Sequence, residues 1–218
     1  MKVVTIEAVD LPDAWFQCIR AILDHGEKYT IQHGSYVGET RLQLPYVVIN
    51  IKNAYSEPYD SMLPQIPAHL NIPNPVADKY VEQYMPYLMT DHIKDGELYT
   101  YGSRIHDQIN HYIDLLKDTP NTNQAVLQVA QPSDKDIVDP PCLRHISMKI
   151  INNELRFSTS WRSWDLFCGM PANLAAIAVL QKYMADGIGV KCGPMISASD
   201  GLHIYGYAKE LARIRAGL

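Results

Sequence analysis

The order of apolar and polar positions divides the chain into short strands and amphipathic helices. Val3 to Val9 is an apolar run broken by Glu7 and reads as a short strand. Asp10-Leu-Pro-Asp then supplies an N-cap and a first-turn proline, and Trp15, Ile19, Ile22 and Leu23 recur at helical spacing until Gly26 stops the helix. Arg41 to Lys52 is rich in β-branched residues with partly alternating polarity, which predicts one strand. Prolines at 58, 64, 67, 73 and 75 make residues 54 to 75 irregular.

From Val76 the pattern predicts a helix through about Met89, kinked or shortened by Pro86, and then a turn at Lys94-Asp-Gly. Ile105, Ile109, Ile113 and Leu116 line one face of a helix over Arg104 to Lys117, which Asp118-Thr-Pro ends. Gln124 to Ala130, Cys142 to Ile151 and Glu154 to Trp161 read as strands, the last two joined at the tight-turn pair Asn152-Asn153. Leu174 to Ala185 is apolar on nearly every face, the mark of a core helix. A strand near His203 to Tyr207 and a short C-terminal helix complete an α+β chain with no internal repeat and no linker, hence one domain over residues 1–218.

Composition sets the class. The 218 residues are 47% hydrophobic and 20% charged, and a chain of this length buries roughly 70% of its unfolded surface without a metal or disulfide staple. Lys and Arg number 19 against 24 Asp and Glu, a formal net charge of -5. That balance argues against a nucleic-acid partner held by bulk charge, and leaves room for a small anion held by a few local arginines. Met1 to Asp10 lacks the apolar core of a signal peptide, and no stretch approaches the ~20 apolar residues of a bilayer span, so no membrane role and a cytoplasmic setting are expected. Cys18, Cys142, Cys168 and Cys192 form no C-x-x-C pair, so no metal site is expected, and a functional cysteine would act as a thiolate.

Three segments carry residues that packing alone does not explain. In Asp139-Pro-Pro-Cys-Leu-Arg, two prolines fix the approach to Cys142, and Arg144 is placed to lower its thiol pKa; an inert core thiol explains the local sequence equally well. Trp161-Arg-Ser-Trp-Asp-Leu-Phe-Cys-Gly-Met-Pro-Ala-Asn sets an arginine, a serine, an aspartate and an asparagine among aromatic and Gly/Pro positions before the core helix. Its plainer reading is a turn, with Asn173 as helix N-cap and Arg162 paired to Asp165. Ser199-Asp-Gly-Leu-His-Ile-Tyr puts His203 and Tyr205 on one strand face.

Together these segments resemble the thymidylate synthase family. Pro141-Cys142, then Arg162-Ser163-Trp164-Asp165 with Gly169, Pro171 and Asn173, then His203-Ile204-Tyr205 fall in the family's order and spacing. The resemblance is strongest over residues 96–207, with Tyr101-Gly102 and the Asp118-Thr-Pro turn included, and the short N-terminal half is similar to the compact archaeal, methanogen-type branch.

The resemblance implies a single-domain fold in which a mixed sheet packs with helices and one sheet face forms a homodimer interface. It implies reductive methylation of dUMP to dTMP with 5,10-methylene-tetrahydrofolate or a methanopterin-type analogue as co-substrate, and no metal. In that reading the Cys142 thiolate adds to pyrimidine C6. Arg162 and Ser163 contact the phosphate, with Arg162 also beside the thiolate. Asn173 reads the uracil edge, and His203 and Tyr205 bond the deoxyribose hydroxyl. Asp165, Tyr101 and Gly169 belong to the pterin site.

Two departures from the family pattern stand out. Its cross-dimer arginine pair falls at Asn123-Gln124, so either Arg144, Arg41 or Arg104 takes over that charge, or phosphate affinity is lower, or the ligand differs; Arg144 comes first because it lies two residues from Cys142 and thus on the same strand face. The general-acid glutamate is Glu82, or else Glu57. The N-terminal phosphate loop and a tryptophan-rich cofactor wall find no counterpart in the sequence. Two alternatives follow: a pyrimidine nucleotide hydroxymethylase, in which water replaces hydride, and a nucleotide-binding homologue without chemistry.

Overall fold

The computed structural model describes residues 2–34 and 36–218. It opens with β1 (Val3–Asp10), which turns Val4, Ile6 and Ala8 into the core, and α1 (Leu11–His25), capped by the Asp10 carboxylate accepting from Asp13 N at 2.9 Å. Leu11, Ala14, Trp15, Cys18, Ile19 and Ile22 form the buried stripe of α1, and the Gly26 N–H closes the helix on Ile22 O. Then come β2 (Glu27–Thr30), β3 (Thr40–Leu44) and β4 (Tyr46–Asn53). The single strand expected over Arg41 to Lys52 is thus two strands in two different sheets. Pro45, between them, has no N–H to continue a ladder and turns the chain from one sheet into the other.

Residues 54–75 carry only two 3₁₀ turns, Tyr59–Met62 and Ala68–Leu70, as their prolines predict. Next is α2 (Tyr80–Met89), with Pro86 inside it. It starts four residues later than expected because Lys79 adopts a left-handed φ of 60°, with its N–H donated to Asp60 Oδ1 at 2.9 Å. The next helix, α3 (Tyr101–Asp118), starts earlier than expected: the Thr100 hydroxyl accepts from Ser103 N and the Ser103 hydroxyl accepts from Thr100 N, a reciprocal cap the apolar pattern does not reveal.

The C-terminal half runs β5 (Val126–Gln128), β6 (Leu143–Ile151), β7 (Glu154–Trp161), β8 (Trp164–Asp165), α4 (Gly169–Ile188), β9 (Lys191–Ser199), β10 (Leu202–Tyr205) and α5 (Gly206–Ala216). Asn152 and Asn153 both take left-handed φ values, 55° and 62°, so β6 and β7 form a tight hairpin. Helix α4 is longer than its apolar run and buried along most of its length; Gln181 inside it donates its Nε2 to Leu155 O and Gly193 O at 2.8 and 2.9 Å.

Strand β9 has no counterpart among the expected elements, because Gly193-Pro194 reads as a turn. Those two residues stand opposite Arg156, where the pairing with β7 slips between Leu155 and Phe157, and pairing with β4 begins only at Met195. Proline is tolerated there because no ladder hydrogen bond is required of it.

The strands form a mixed six-stranded sheet, β1-β4-β9-β7-β6-β5, and a four-stranded sheet, β2-β3-β10-β8. Helices α1 and α4 pack on one face of the large sheet, while its other face leaves Val3, Val9, Ile151 and Ile196 exposed among polar side chains. Among the described residues no helix is long and apolar enough to cross a membrane.

The two sheets part at a single place. Strands β7 and β9 pair in the large sheet, and just beyond them the same two chain segments pair again as β8 and β10 in the small one. Asp200 N donates to Trp161 O at 2.9 Å on one side of this seam, and Leu166 N to His203 O at 2.8 Å on the other.

Gly102, at the start of α3, lies against the end of α2. A Cβ there would stand 2.1 Å from Thr90 O and 2.8 Å from Thr90 N, both backbone atoms with little freedom to move. Gly102→Ala is therefore expected to lower stability by about 3 kcal/mol, read from urea denaturation; an unchanged midpoint would refute the close approach.

Candidate active site

A cavity of about 580 Å³ opens at the seam, within the roughly 300–1,000 Å³ of small-molecule sites. Cys142, Arg162, Ser163, Asp165, His203 and Tyr205 all line it, brought together from three separate stretches of chain. The hairpin supplies the first contact: Arg162 N donates to Cys142 O at 2.9 Å, so the two residues sit side by side where β6 and β7 end. Asp165 then faces both this cavity and a second one of about 420 Å³, which Gly169, Asn173, Tyr80 and Tyr84 also line.

Arg162 is held by three acceptors. Its Nε donates to Pro141 O at 3.2 Å, and its Nη2 donates to Pro140 O and to Asp139 Oδ1, the latter at 3.1 Å. The two prolines thus present carbonyls to the guanidinium as well as fixing the approach to Cys142.

The Cys142 thiol is pushed up from its ordinary pKa of 9.0, first by burial. Arg162 and Arg144 lower it, as the sequence leads one to expect, but Asp139 opposes them, and burial wins. In the ligand-free protein burial therefore outweighs the lowering expected from Arg144.

Arg144 is a second correction. The β6–β7 register shifts between Leu143 and His145, so Arg144 is the extra residue of a bulge and does not share a strand face with Cys142. It does not line the cavity; its Nη1 donates to Pro141 O at 3.0 Å and stands 3.5 Å from Asp134 Oδ2. Arg104 pairs with the same buried carboxylate at 3.0 Å, so both arginines are committed to Asp134.

Arg41 is differently placed. It stands directly across from Tyr205 in the β3–β10 pairing, lines the cavity, and has a buried Nε with no partner among the described residues. His33 and Tyr36, from the loop before β3, join it at the rim. This loop has no counterpart among the sequence expectations; its one signal is Arg41 itself, at the start of a strand.

His203 is buried. Its Nδ1 lies 3.0 Å from Gly201 O, which can only accept, so the proton sits on Nδ1, and the buried Nε2, without a partner among the described residues, is an acceptor. Burial, first among the causes, lowers its pKa and keeps the ring neutral. Ser163 Oγ is 3.4 Å from the same Nδ1. The Asp165 carboxylate accepts from Phe167 N and Gly169 N, each at 3.1 Å, and so caps α4 while facing both cavities. It is not the partner of Arg162, and Asn173 lies inside α4 rather than at its N-cap.

The proposed acids do not reach the site. Glu82 is exposed on the face of α2 opposite Tyr80, Tyr84 and Tyr87, and lines neither cavity. Glu57 is exposed as well, its carboxylate accepting from the Tyr55 hydroxyl. Asn123 and Gln124 are exposed in the turn after α3 and line neither cavity.

What the site has instead is tyrosine. Tyr80, Tyr84 and Tyr87 stack along α2 with centroids 6.1 and 5.2 Å apart, and Tyr87 continues to Tyr101 at 5.4 Å, whose hydroxyl is 3.5 Å from Leu143 N. Their spacing of four and three residues was the available signal for one helix face.

The thymidylate synthase family model matches residues 75–215, well over half of the chain. The chain belongs to the thymidylate synthase family. Proteins named "Putative thymidylate synthase" from Methanosarcina mazei and Methanosarcina barkeri are 29% and 27% identical to it over 208 and 207 residues, each alignment covering 92% of this chain and 88% of the relative. A namesake from Methanothermobacter marburgensis is 26% identical over 212 residues, 92% of each. Among solved structures, thermostable thymidylate synthase A from Bacillus subtilis superposes with a TM-score of 0.74 at 18% identity, over 96% of this chain and 84% of that one, and so shares the fold. The α+β architecture expected from the sequence is the thymidylate synthase fold.

The electrostatics of Cys142 can be read by alkylation. Because its pKa is raised, iodoacetamide modification of Cys142, followed by peptide mass spectrometry, should be slow at neutral pH and keep accelerating above pH 9, the ordinary thiol value. Asp139→Asn removes an anion that disfavours the thiolate and should move the profile to lower pH. A midpoint already below the ordinary value in the unmodified protein would contradict this account.

Proposed function

We propose that this chain catalyses the reductive methylation of dUMP to dTMP with a methylene-tetrahydropterin. The observation that carries the reading is the convergence, in one cavity, of a thiol, two arginines, a neutral histidine acceptor and a tyrosine. Arg41 supplies local positive charge for a nucleotide phosphate, and Arg162 adds to it by exchanging its Asp139 contact for the phosphate, with Ser163 as a hydroxyl donor. His203 Nε2 accepts from the deoxyribose hydroxyl, and Tyr205 stands beside it on the same strand.

Cys142, once deprotonated, forms a bond from sulfur to C6 of the pyrimidine. The C5=C6 electron pair moves onto C5 and is shared with the carbonyl at C4, which makes C5 a nucleophile. Asn173 does not line the cavity of Cys142 but the second one, beside Asp165, which lines both; from there it would meet the base at its N3 and O4 edge. Because the pair on C5 goes into the new bond from C5 to the one-carbon unit, the pair that finally restores C5=C6 is the one freed when the C5 proton is lost; as the double bond re-forms, the C6–S bond breaks and Cys142 leaves as the thiolate.

The second cavity fits a reduced pterin: tyrosine rings from α2 offer a wall for a flat ring, and Asp165 offers a carboxylate to its N–H groups. Tyr80, Tyr84, Asp165 and Gly169 would hold it, with Tyr101 behind them. When bound, 5,10-methylene-tetrahydrofolate or a methanopterin-type analogue supplies both the one-carbon unit and the hydride. The open face of the large sheet, with its exposed apolar residues, is where a second copy would pack to give a homodimer.

The reading is tested with dUMP tritiated at C5, offered with each pterin in parallel. Tritium release and a product one methylene heavier than dUMP are expected, with turnover reduced at least about a thousandfold in Cys142→Ser. A product carrying one further oxygen would make the chain a hydroxymethylase. Binding without tritium release, or full turnover by Cys142→Ser, would contradict the proposal.

A further inference from the structure

Both ends of the Asn173 amide are held. Trp164 Nε1 lies 3.0 Å from Asn173 Oδ1, and Asn173 Nδ2 lies 2.8 Å from Tyr84 Oη. An indole N–H can only donate, so the amide oxygen must be the atom that faces Trp164. The amide orientation is therefore set by a neighbour that tolerates no alternative.

The two holders are themselves fixed. Trp164 is buried, stacks on Trp161 with centroids 4.1 Å apart and planes 8° from parallel, and donates its backbone N–H to Gly201 O at 3.2 Å. Tyr84 is clamped between the Tyr80 and Tyr87 rings, and burial holds its phenol well above the usual range, so it stays protonated. Its oxygen accepts from Nδ2, which leaves its own O–H to donate elsewhere.

We propose that Trp164 and Tyr84 are specificity-determining positioning residues that lock the Asn173 amide in the orientation that selects a 4-oxo over a 4-amino pyrimidine. With both holders engaged, one Nδ2 hydrogen and one Oδ1 lone pair remain, a donor and an acceptor at fixed places. They match a carbonyl at C4 and an N–H at N3. Reading a 4-amino group and a bare N3 requires the flipped amide, which sets its NH₂ against the indole N–H, two donors face to face with nothing to accept. The phenol can adapt to a flip by turning its O–H toward the amide oxygen; the indole cannot. Trp164 is therefore the stronger lock and Tyr84 the weaker.

This inference rests on the reading of the site as a pyrimidine nucleotide site, and binding separates the two. Affinities for dUMP and dCMP are measured by titration calorimetry on the unmodified protein, Trp164→Phe and Tyr84→Phe, with thermal melting as a check on folding. The unmodified protein is expected to prefer dUMP. Trp164→Phe should narrow the dUMP-to-dCMP affinity ratio roughly tenfold or more, and Tyr84→Phe severalfold. A folded variant that loses both nucleotides equally, or keeps the ratio, overturns the lock and leaves the site reading standing. Should Trp164→Phe fail to fold, the ratio for Tyr84→Phe decides alone. An unmodified protein that binds neither nucleotide overturns the site reading and the lock together.

Discussion

The site depends on the end of the β6–β7 hairpin, where the Arg162 N–H closes on the Cys142 carbonyl. That bond sets the Cys142 thiol beside the guanidinium, and it does so where β7 and β9 leave the large sheet and pair again as β8 and β10 in the small one. A sheet that splits creates a concave corner lined from both halves. Residues as far apart in sequence as Cys142 and His203 share one cavity for that reason. Behind the corner lies packed core: Trp161, Trp164, Leu166 and Phe167 are buried, and Trp15 Nε1 donates to the carbonyls of Leu166 and Phe167.

Charge follows the same geometry. A formal charge of -5 gives the chain no general attraction for an anion, so the positive potential has to be local. Arg104 and Arg144 share the one buried carboxylate of Asp134, which ties the 3₁₀ turn Pro132–Asp136 to α3 and β6. Arg162 and Arg41 face the cavity, and a low-dielectric corner strengthens each of them. The same burial that strengthens the arginines pushes the Cys142 thiol up from its ordinary pKa, so one environment acts in opposite senses on the cations and on the thiol.

Much of the fold was legible because its helices and outer strands follow simple periods. β9 was hidden because Gly193-Pro194 mimics a turn, and only the slipped register against Arg156 makes those residues compatible with a strand. The break at Pro45 was visible in the sequence, but that it separates two sheets is a tertiary fact. At the site, the residues grouped in short motifs, Cys142, Arg162, Ser163, Asp165, His203 and Tyr205, converge as their spacing suggested. Arg144 misled because counting by two assumes an unbulged strand. Glu82 misled because a helix offers several faces, and the tyrosines at 80, 84 and 87 had already taken the inner one.

The central claim is that Cys142 attacks C6 of a uracil nucleotide held in this cavity. Its most direct measurement uses 5-fluoro-dUMP with a methylene-tetrahydropterin, because fluorine at C5 cannot leave as a proton does and the covalent adduct persists. Mass spectrometry of the digested protein should find nucleotide and pterin joined to the peptide that carries Cys142. Turnover of dUMP with no such adduct, or an adduct on Cys18, Cys168 or Cys192 instead, would contradict the account.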